Sequence, residues 1–148
     1  MYAVSPLSSS VSSSSPPQHP QAALYARVGV ETGVGSASPH QLVGMLFDGY
    51  AVAVATAKSA LAAGDVQAKC AAINRAVRIV DEGLKASLDP AGGALARDLN
   101  ELYAYVVMRL TQANLGNDPA RLDECLAVMQ PLREAWAAIG PSVAARRN

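Results

Sequence analysis

The sequence predicts an all-α protein, an antiparallel up-and-down four-helix bundle that follows a short N-terminal arm or helix. Of the 148 residues, 51% are hydrophobic but only 5% are aromatic, and a composition dominated by alanine and leucine favours helix over sheet. Four segments of about twenty residues carry apolar residues at helical spacing. The connections between them are a few residues long, and short connections favour antiparallel neighbours.

The N-terminal region divides into a tail and an arm. The first twenty positions hold eight serines and four prolines, too little apolar surface to offset the entropy of an ordered chain. We therefore expect residues 1–21 to be a disordered tail, either a plain extension or a regulatory platform. Residues 22–37 form the arm, in which the apolar Leu24, Tyr25 and Val28 precede chain-breaking glycines.

Capping residues mark the first two helices. Ser38 suits an N-cap, a proline follows it, and Gln41 lies three residues later, which together form a capping box. Gly64 is expected to end this helix, and Asp65 to cap the next one. The second helix is predicted over about residues 66–87.

Asp-Pro pairs mark the other two helices. The pair at 89–90 is expected to separate the second helix from a third over about residues 91–114, with Gly116 as its candidate C-cap. The pair at 118–119 begins the fourth helix, and the Gly-Pro pair at 140–141 is expected to end it.

The apolar stripes of the four helices are predicted to share one core, within a bundle over residues 38–140 and ahead of a flexible C-terminus at 141–148. Helical spacing places each stripe on one face of its helix. The stripes comprise Leu42, Met45, Leu46, Ala53, Ala57 and Leu61; Ile73, Val77, Val80 and Leu84; Leu95, Leu99, Leu102, Val106 and Leu110; and Leu122, Cys125, Met129, Leu132, Trp136 and Ile139.

Composition argues against several classes of partner. The chain has 12 basic and 12 acidic residues, whereas duplex-binding domains carry a basic excess, so no nucleic-acid partner is expected. No segment approaches the roughly 20 apolar residues of a membrane span. Residues 1–26 lack the basic start of a signal peptide. We therefore expect a cytosolic protein without membrane insertion. Cys70 and Cys125 fit no zinc motif and are interpreted as buried free thiols.

No catalytic or cofactor site is predicted. The chain has two histidines, His19 and His40, and neither follows a glutamate by three residues as in di-iron bundles. Cys70 and Cys125 lack a plausible histidine partner, and the core positions are expected to hold no titratable group at all. The Gly92-Gly93 pair lacks the features of a phosphate loop. We therefore expect no enzyme activity, no cofactor and no metal, and the remaining expectation is binding.

The helices are apolar over more than one narrow stripe. Such width is typical of a groove for a partner helix, of a wider core or of a dimer face, and the pattern leaves these three alternatives open. The flanking residues are Val52, Val54, Val107, Met108, Leu126 and Val128.

Several segments resemble the FliS family of flagellar secretion chaperones, in the family's order, over about residues 24–139. The most recognisable segment runs from Ser36 to Val43 and continues with Met45 to Gly49. The other matching segments are Tyr25 to Thr32, Gly64-Asp65, Ile73 to Ala76, Ser87 to Asp89, Gly92-Gly93, Leu99, Leu102-Tyr103, Tyr105, Arg109-Leu110, Ala113 to Leu115, Leu132, Glu134 to Trp136 and Ile139.

The resemblance implies a helical chaperone that binds the disordered C-terminal segment of flagellin, prevents premature polymerisation and delivers it to the export gate component FlhA of the flagellar type III apparatus. It also implies that the arm around Tyr25 covers part of the cargo surface until cargo displaces it. We expect a monomer or weak homodimer. The alternative is a helical adaptor or regulatory module for another secreted or flagellar protein. The expected groove and arm residues are Leu24, Tyr25, Val28, Ile73, Val77, Leu102, Tyr103, Val106 and Leu110.

Overall fold

The structure, a computed structural model, describes residues 36–145, with side chains described up to Gly140. Within these residues the chain is helical and contains no strand, which confirms the predicted all-α class. The predicted tail and almost all of the predicted arm, including Leu24, Tyr25 and Val28, lie outside the described residues. The elements are α1 (Pro39–Ala62), α2 (Val66–Arg78) continued by a π-helical turn (Ile79–Leu84), a 3₁₀ turn (Pro90–Gly92), α3 (Gly93–Gly116) and α4 (Pro119–Ala145).

The four helices form an antiparallel bundle. α1 packs against α2 and α4, and α3 packs against the same two helices from the other side. The first turn of α1 meets the end of α4, where the ring of His40 stacks on Trp136. The last turns of α1 meet the beginning of α4, where Lys58 forms an ion pair with Asp123. Short connections make this arrangement the economical one.

Local capping chemistry begins the first two helices as predicted. The Ser38 hydroxyl accepts a hydrogen bond from the Gln41 backbone N–H at 3.1 Å, and the Gln41 side chain accepts one from the Ser38 N–H at 2.8 Å. Asp65 accepts from the Ala68 N–H at 3.0 Å. Gly64 lies between the helices with φ +72°, a conformation that glycine adopts without strain.

Two predicted helix ends are wrong. α3 includes Gly116, and its C-cap is Asn117 in the left-handed region with φ 48°. Among residue types other than glycine, asparagine is one of those that tolerate this conformation best. α4 does not end at the Gly-Pro pair at 140–141 but continues to Ala145. A proline has a helix-compatible φ and removes one backbone donor, and α4 also continues through Pro131.

The core follows the predicted stripes except at the end of the bundle where α3 begins. Leu95 and Ile139 were expected in the core but are 68% and 43% exposed, because they lie in the first turn of α3 and near the end of α4. The fully buried side chains include Tyr50, Leu42, Leu46, Ile73, Ile79, Leu84, Leu110, Leu122, Val54, Val80 and Val106. The flanking Val54 is therefore core, whereas Val52 and Met108 are exposed.

A buried lysine contradicts the expectation that no titratable group occupies the core. Lys69 in α2 is 3% exposed. Its ammonium group donates to the backbone oxygen of Asn114 at 3.0 Å and to the side-chain oxygen of Asn117. The end of a helix carries unpaired carbonyls and partial negative charge, so the end of α3 provides the acceptors that this buried cation needs.

Candidate functional site

A spacious groove lies between the first turns of α1 and the C-terminal half of α4. Its cavity volume is about 860 Å³. Apolar and small side chains form one part of its lining, and polar side chains form the other. The lining residues are Ser36, Ala37, His40, Gln41, Gly44, Met45, Asp48, Gln130, Arg133, Glu134, Trp136 and Ala137.

His40 and Trp136 form a reciprocal contact across this groove, which we call the clasp. The His40 ring nitrogen Nε2 lies 2.7 Å from the backbone oxygen of Trp136. Because a carbonyl only accepts, Nε2 carries the proton in this contact. The Trp136 indole Nε1–H donates in the opposite direction to the backbone oxygen of His40 at 2.9 Å. The two rings stack with centroids 4.7 Å apart and an interplanar angle of 10°.

Two glycines give the clasp and the groove their space. A Cβ atom on Gly140 would lie 2.8 Å from Cε1 of His40, closer than non-bonded carbon atoms pack. A Cβ atom on Gly44 would lie 3.9 Å from Cδ1 of Trp136, which is ordinary van der Waals contact. Gly140 is therefore required by the position of the His40 ring, whereas Gly44 leaves room in the groove that a side chain could fill.

The polar side of the groove carries one ion pair and one hydrogen bond to a carboxylate. Arg133 in α4 donates to Asp48 in α1 at 2.8 Å. Gln130 donates to Glu134 along α4 at 3.1 Å. Exposed ion pairs of this kind add little to stability. A surface that combines apolar and polar side chains is typical of a site that binds another polypeptide.

The residues predicted to line a groove on α2 and α3 lie elsewhere, and most of them are buried. Ile73, Tyr103, Val106 and Leu110 are at most 4% exposed, and burial raises the pKa of the Tyr103 phenol to about 12. A partner can contact only accessible atoms, so these four belong to the core of this conformation. The other two predicted residues, Val77 and Leu102, are half-buried.

The apolar stripe of α3 is nevertheless open over its N-terminal half. Leu95 is 68% exposed, and Leu99 and Leu102 are half-buried. The C-terminal half of the same stripe is closed, since Val106 and Leu110 are at most 1% exposed. A second apolar surface therefore exists on α3, displaced toward its start from the predicted position.

A polar cluster ties α3 to α4 farther from the groove. Arg109 donates to both carboxylate oxygens of Glu124, the shortest of these bonds being 2.6 Å. The Tyr105 hydroxyl donates to the same carboxylate at 2.5 Å. Hydrogen bonds from Arg109 and then from Tyr105 lower the pKa of Glu124, because both stabilise its charged form. This cluster connects the two helices.

The described residues show neither a metal centre nor a membrane span. Among residues 36–145, no group of three or more histidine, cysteine, aspartate or glutamate side chains could hold a metal ion. None of the helices in the same part of the chain is both long and apolar enough to cross a membrane. Cys70 and Cys125 are free thiols. Cys125 is buried as predicted, but Cys70 is only half-buried.

Reasoning from the sequence missed the clasp. Trp136 was predicted as a core residue, and His40 was considered only as a metal ligand. The two positions are separated by 96 residues, and no local pattern connects them. The available signal was topological: in an up-and-down bundle the start of the first helix lies beside the end of the last helix.

Comparisons with known proteins agree with the resemblance found in the sequence. A family model described as "Flagellar protein FliS" matches residues 21–143. The flagellar secretion chaperone FliS of Salmonella typhimurium is 49% identical over 118 residues, which cover 79% of this chain and 87% of that protein. The chaperone of the same name from Escherichia coli is 42% identical over 76% of this chain and 83% of its own length. The flagellar secretion chaperone FliSB of Pseudomonas aeruginosa is 35% identical over 78% of this chain and 91% of its own length.

Proposed function

The chain belongs to the FliS family of flagellar proteins, and from this premise we propose that it binds the disordered C-terminal segment of flagellin in the cytosol. In this proposal the bound segment cannot polymerise prematurely, and the complex delivers it to the export gate component FlhA. The protein acts by binding, as a monomer or weak homodimer, and catalyses no reaction.

The groove between α1 and α4 is the observation that supports this function best. Its volume of about 860 Å³ accommodates several side chains of a partner polypeptide. Met45 and Trp136 lie on its apolar side, and methionine and tryptophan are enriched at protein interfaces. The paired charges of Asp48 and Arg133 lie at the rim, where water still solvates them.

The energetics of the proposal require apolar contact along an extended surface. A disordered segment that folds on binding loses about 2–5 kcal/mol or more of its interaction energy to ordering. Each buried side chain of leucine or isoleucine size contributes roughly 1.5–3 kcal/mol. Several such contacts therefore offset the ordering. The open half of the α3 stripe, with Leu95, Leu99 and Leu102, is proposed as a further part of the cargo surface.

The arm is proposed to cover the groove between α1 and α4 when cargo is absent. Ser36 and Ala37 line this groove, so the arm is joined to residues that already lie at the groove. Leu24, Tyr25 and Val28 supply the apolar side chains for the contact. Cargo would then displace the arm, and only a segment that makes more apolar contact with the groove than the arm does would succeed.

Calorimetric titration with a peptide of the last forty or so residues of a cognate flagellin tests the cargo proposal. We expect one-to-one binding and a gain in helical circular dichroism beyond the sum of the two components, because the segment folds on binding. Gly44→Gln should weaken binding at least about tenfold, or about 1.4 kcal/mol, since its side chain fills the groove. Ala55→Gln, at an exposed position of the same helix, is the matched control.

Two results would contradict the proposal. The absence of binding heat with an intact bundle would exclude flagellin as the cargo and favour an adaptor role for another flagellar or secreted protein. Equal affinities for Gly44→Gln and Ala55→Gln would place the cargo outside this groove. Delivery has a separate measurement, in which the cargo complex should bind FlhA more tightly than the free chaperone does.

A further inference from the structure

We infer that the groove between α1 and α4 selects two chemical features of a helical cargo segment. One is an apolar side chain that enters the gap left by Gly44, and the other is a lysine or arginine about one helical turn away that pairs with Glu134. This inference rests on the proposed function, because its occupant is the cargo segment. It adds which residues of that segment the groove recognises and which residues of this chain determine the choice.

Gly44 leaves a space that the packing of the bundle does not explain. A glycine inside a helix is less favourable than alanine. Gly140 has a reason in the packing, because a Cβ atom there would lie 2.8 Å from Cε1 of His40. At Gly44, a Cβ atom would come no closer to any described residue of another helix than 3.9 Å, at Cδ1 of Trp136. The bundle could therefore hold a side chain at Gly44, and its absence leaves room for a side chain of a partner.

The surroundings of this gap suit an apolar side chain. Met45, Trp136 and Ala137 line the groove beside it. The Trp136 ring is held by its stacking on His40, whereas a methionine side chain adapts to the shape of what it contacts. An apolar side chain that enters the gap leaves water for contact with these residues, which is favourable.

The polar side of the groove has an excess of one negative charge. Its lining contains the two carboxylates of Asp48 and Glu134 and the single guanidinium of Arg133. Arg133 forms its ion pair with Asp48. Within the described part of the chain, Glu134 accepts from the neutral side-chain amide of Gln130 and forms no ion pair. Complementary charge determines partner choice at interfaces, so Glu134 favours a cargo segment with a cation at this point.

Helical periodicity relates this charge to the gap. Glu134 precedes Ala137 by three residues on α4, and Asp48 follows Gly44 by four residues on α1. Residues three or four apart on a helix are neighbours on its surface, about 5–6 Å apart. A cargo helix that lies along the groove has the same spacing. It can therefore place an apolar residue in the gap and a lysine or arginine three or four positions away beside Glu134.

Tryptophan fluorescence of the full-length chain tests the charged contact. Trp136 is the single tryptophan of the chain and lines the groove, so its emission reports the binding of a flagellin C-terminal peptide that lacks tryptophan. Glu134→Gln should weaken binding about two- to fivefold at low salt, and the difference should shrink as salt is added. Glu82→Gln removes the same charge from the π-helical turn, outside the groove lining, and should leave the affinity unchanged.

Peptide variants locate the two recognised residues through double-mutant cycles. Replacing one lysine or arginine of the peptide with glutamine should weaken binding to the unchanged chain but not to Glu134→Gln. Replacing an apolar residue three or four positions away with alanine should weaken binding to the unchanged chain about tenfold. That loss should fall below about threefold in Gly44→Leu, whose side chain occupies the gap. If Gly44→Leu fails to fold, Gly44→Ala repeats the comparison and should also reduce the loss.

The outcomes separate this inference from the proposed function. Equal affinities of Glu134→Gln and Glu82→Gln at low salt, with the unchanged chain binding the peptide, would overturn the inference and leave the cargo proposal intact. The same holds if no apolar residue of the peptide couples to Gly44, or if the coupled residues are not three or four positions apart. A peptide that fails to bind the unchanged chain would refute the cargo proposal and this inference together.

Discussion

Replacing Leu110 with alanine should destabilise the bundle strongly, although the pattern of the sequence predicted this residue in a binding groove. Leu110 is 0% exposed in α3, and it packs in the shared core. Removing a fully buried leucine side chain to alanine costs about 2–5 kcal/mol, from lost transfer energy and from the cavity left behind. In a domain of this size, each kcal/mol lost from the free energy of unfolding lowers Tm by about 4 °C, so Tm should fall by about 8–20 °C.

Leu115→Ala is the matched control for this experiment. Leu115 lies in the same helix but is 83% exposed, so its replacement should change the free energy of unfolding by no more than about 0.5 kcal/mol. Urea and thermal unfolding followed by circular dichroism measure both variants. The flagellin affinity of Leu110→Ala should stay unchanged at temperatures where it is folded, because no Leu110 atom is accessible to a partner.

One combination of results would refute the assignment of Leu110 to the core. If Leu110→Ala unfolded like Leu115→Ala but bound flagellin more weakly, the residue would line a groove, as the sequence pattern predicted. If both variants instead lost about 2–5 kcal/mol of the free energy of unfolding, the result would contradict the exposure of Leu115.

Three further predictions concern a buried hydrogen bond, an ion pair and a buried thiol. Tyr50→Phe should lower the free energy of unfolding by about 0.5–1.5 kcal/mol in urea unfolding, because the buried hydroxyl donates to the Cys125 backbone oxygen at 2.8 Å; no loss would contradict that bond. Arg109 lowers the pKa of Glu124 in the folded state. This carboxylate should therefore stabilise the fold fully at pH values above its pKa in the unfolded chain, which is about 4.3. That contribution should be lost as the pH falls through the lower pKa that Glu124 has in the folded protein. Glu124→Gln should therefore make the free energy of unfolding fall less steeply at acidic pH, and an unchanged slope would contradict the pairing. Burial raises the pKa of the Cys125 thiol to about 11, so a thiol reagent at pH 8 should label the half-buried Cys70 first and Cys125 only on unfolding; equal rates would contradict the burial.

Helix beginnings were predictable because their causes are local. The Ser38–Gln41 capping box and the Asp65 cap act over three residues, so the sequence shows both partners of each contact. The end of α4 was mispredicted because the Gly-Pro pair at 140–141 was interpreted as a stop, whereas proline has a φ compatible with a helix and α4 continues to Ala145. Residue patterns identify a candidate stop, but they do not decide by themselves whether the helix ends there.

The candidate site was only partly predictable because it depends on contacts between distant residues. Periodicity placed Val106 and Leu110 on an apolar face, but a core face and a groove face have the same period. Leu95 has the same phase as these residues, yet it is 68% exposed because no described element covers the first turn of α3. The clasp joins positions 96 residues apart, and neither side chain alone indicates the other.

The amino-acid sequence by itself determined that the chain is helical, where most of its helices begin, and which family it resembles. These properties follow from propensities, caps and spacings that act within a few residues of one another. Only the tertiary structure decided which apolar faces are closed and which are open, and that a lysine belongs in the core beside the end of α3. Burial is a property of two surfaces in contact, so a single stripe of residues specifies which face is apolar but not what lies against it.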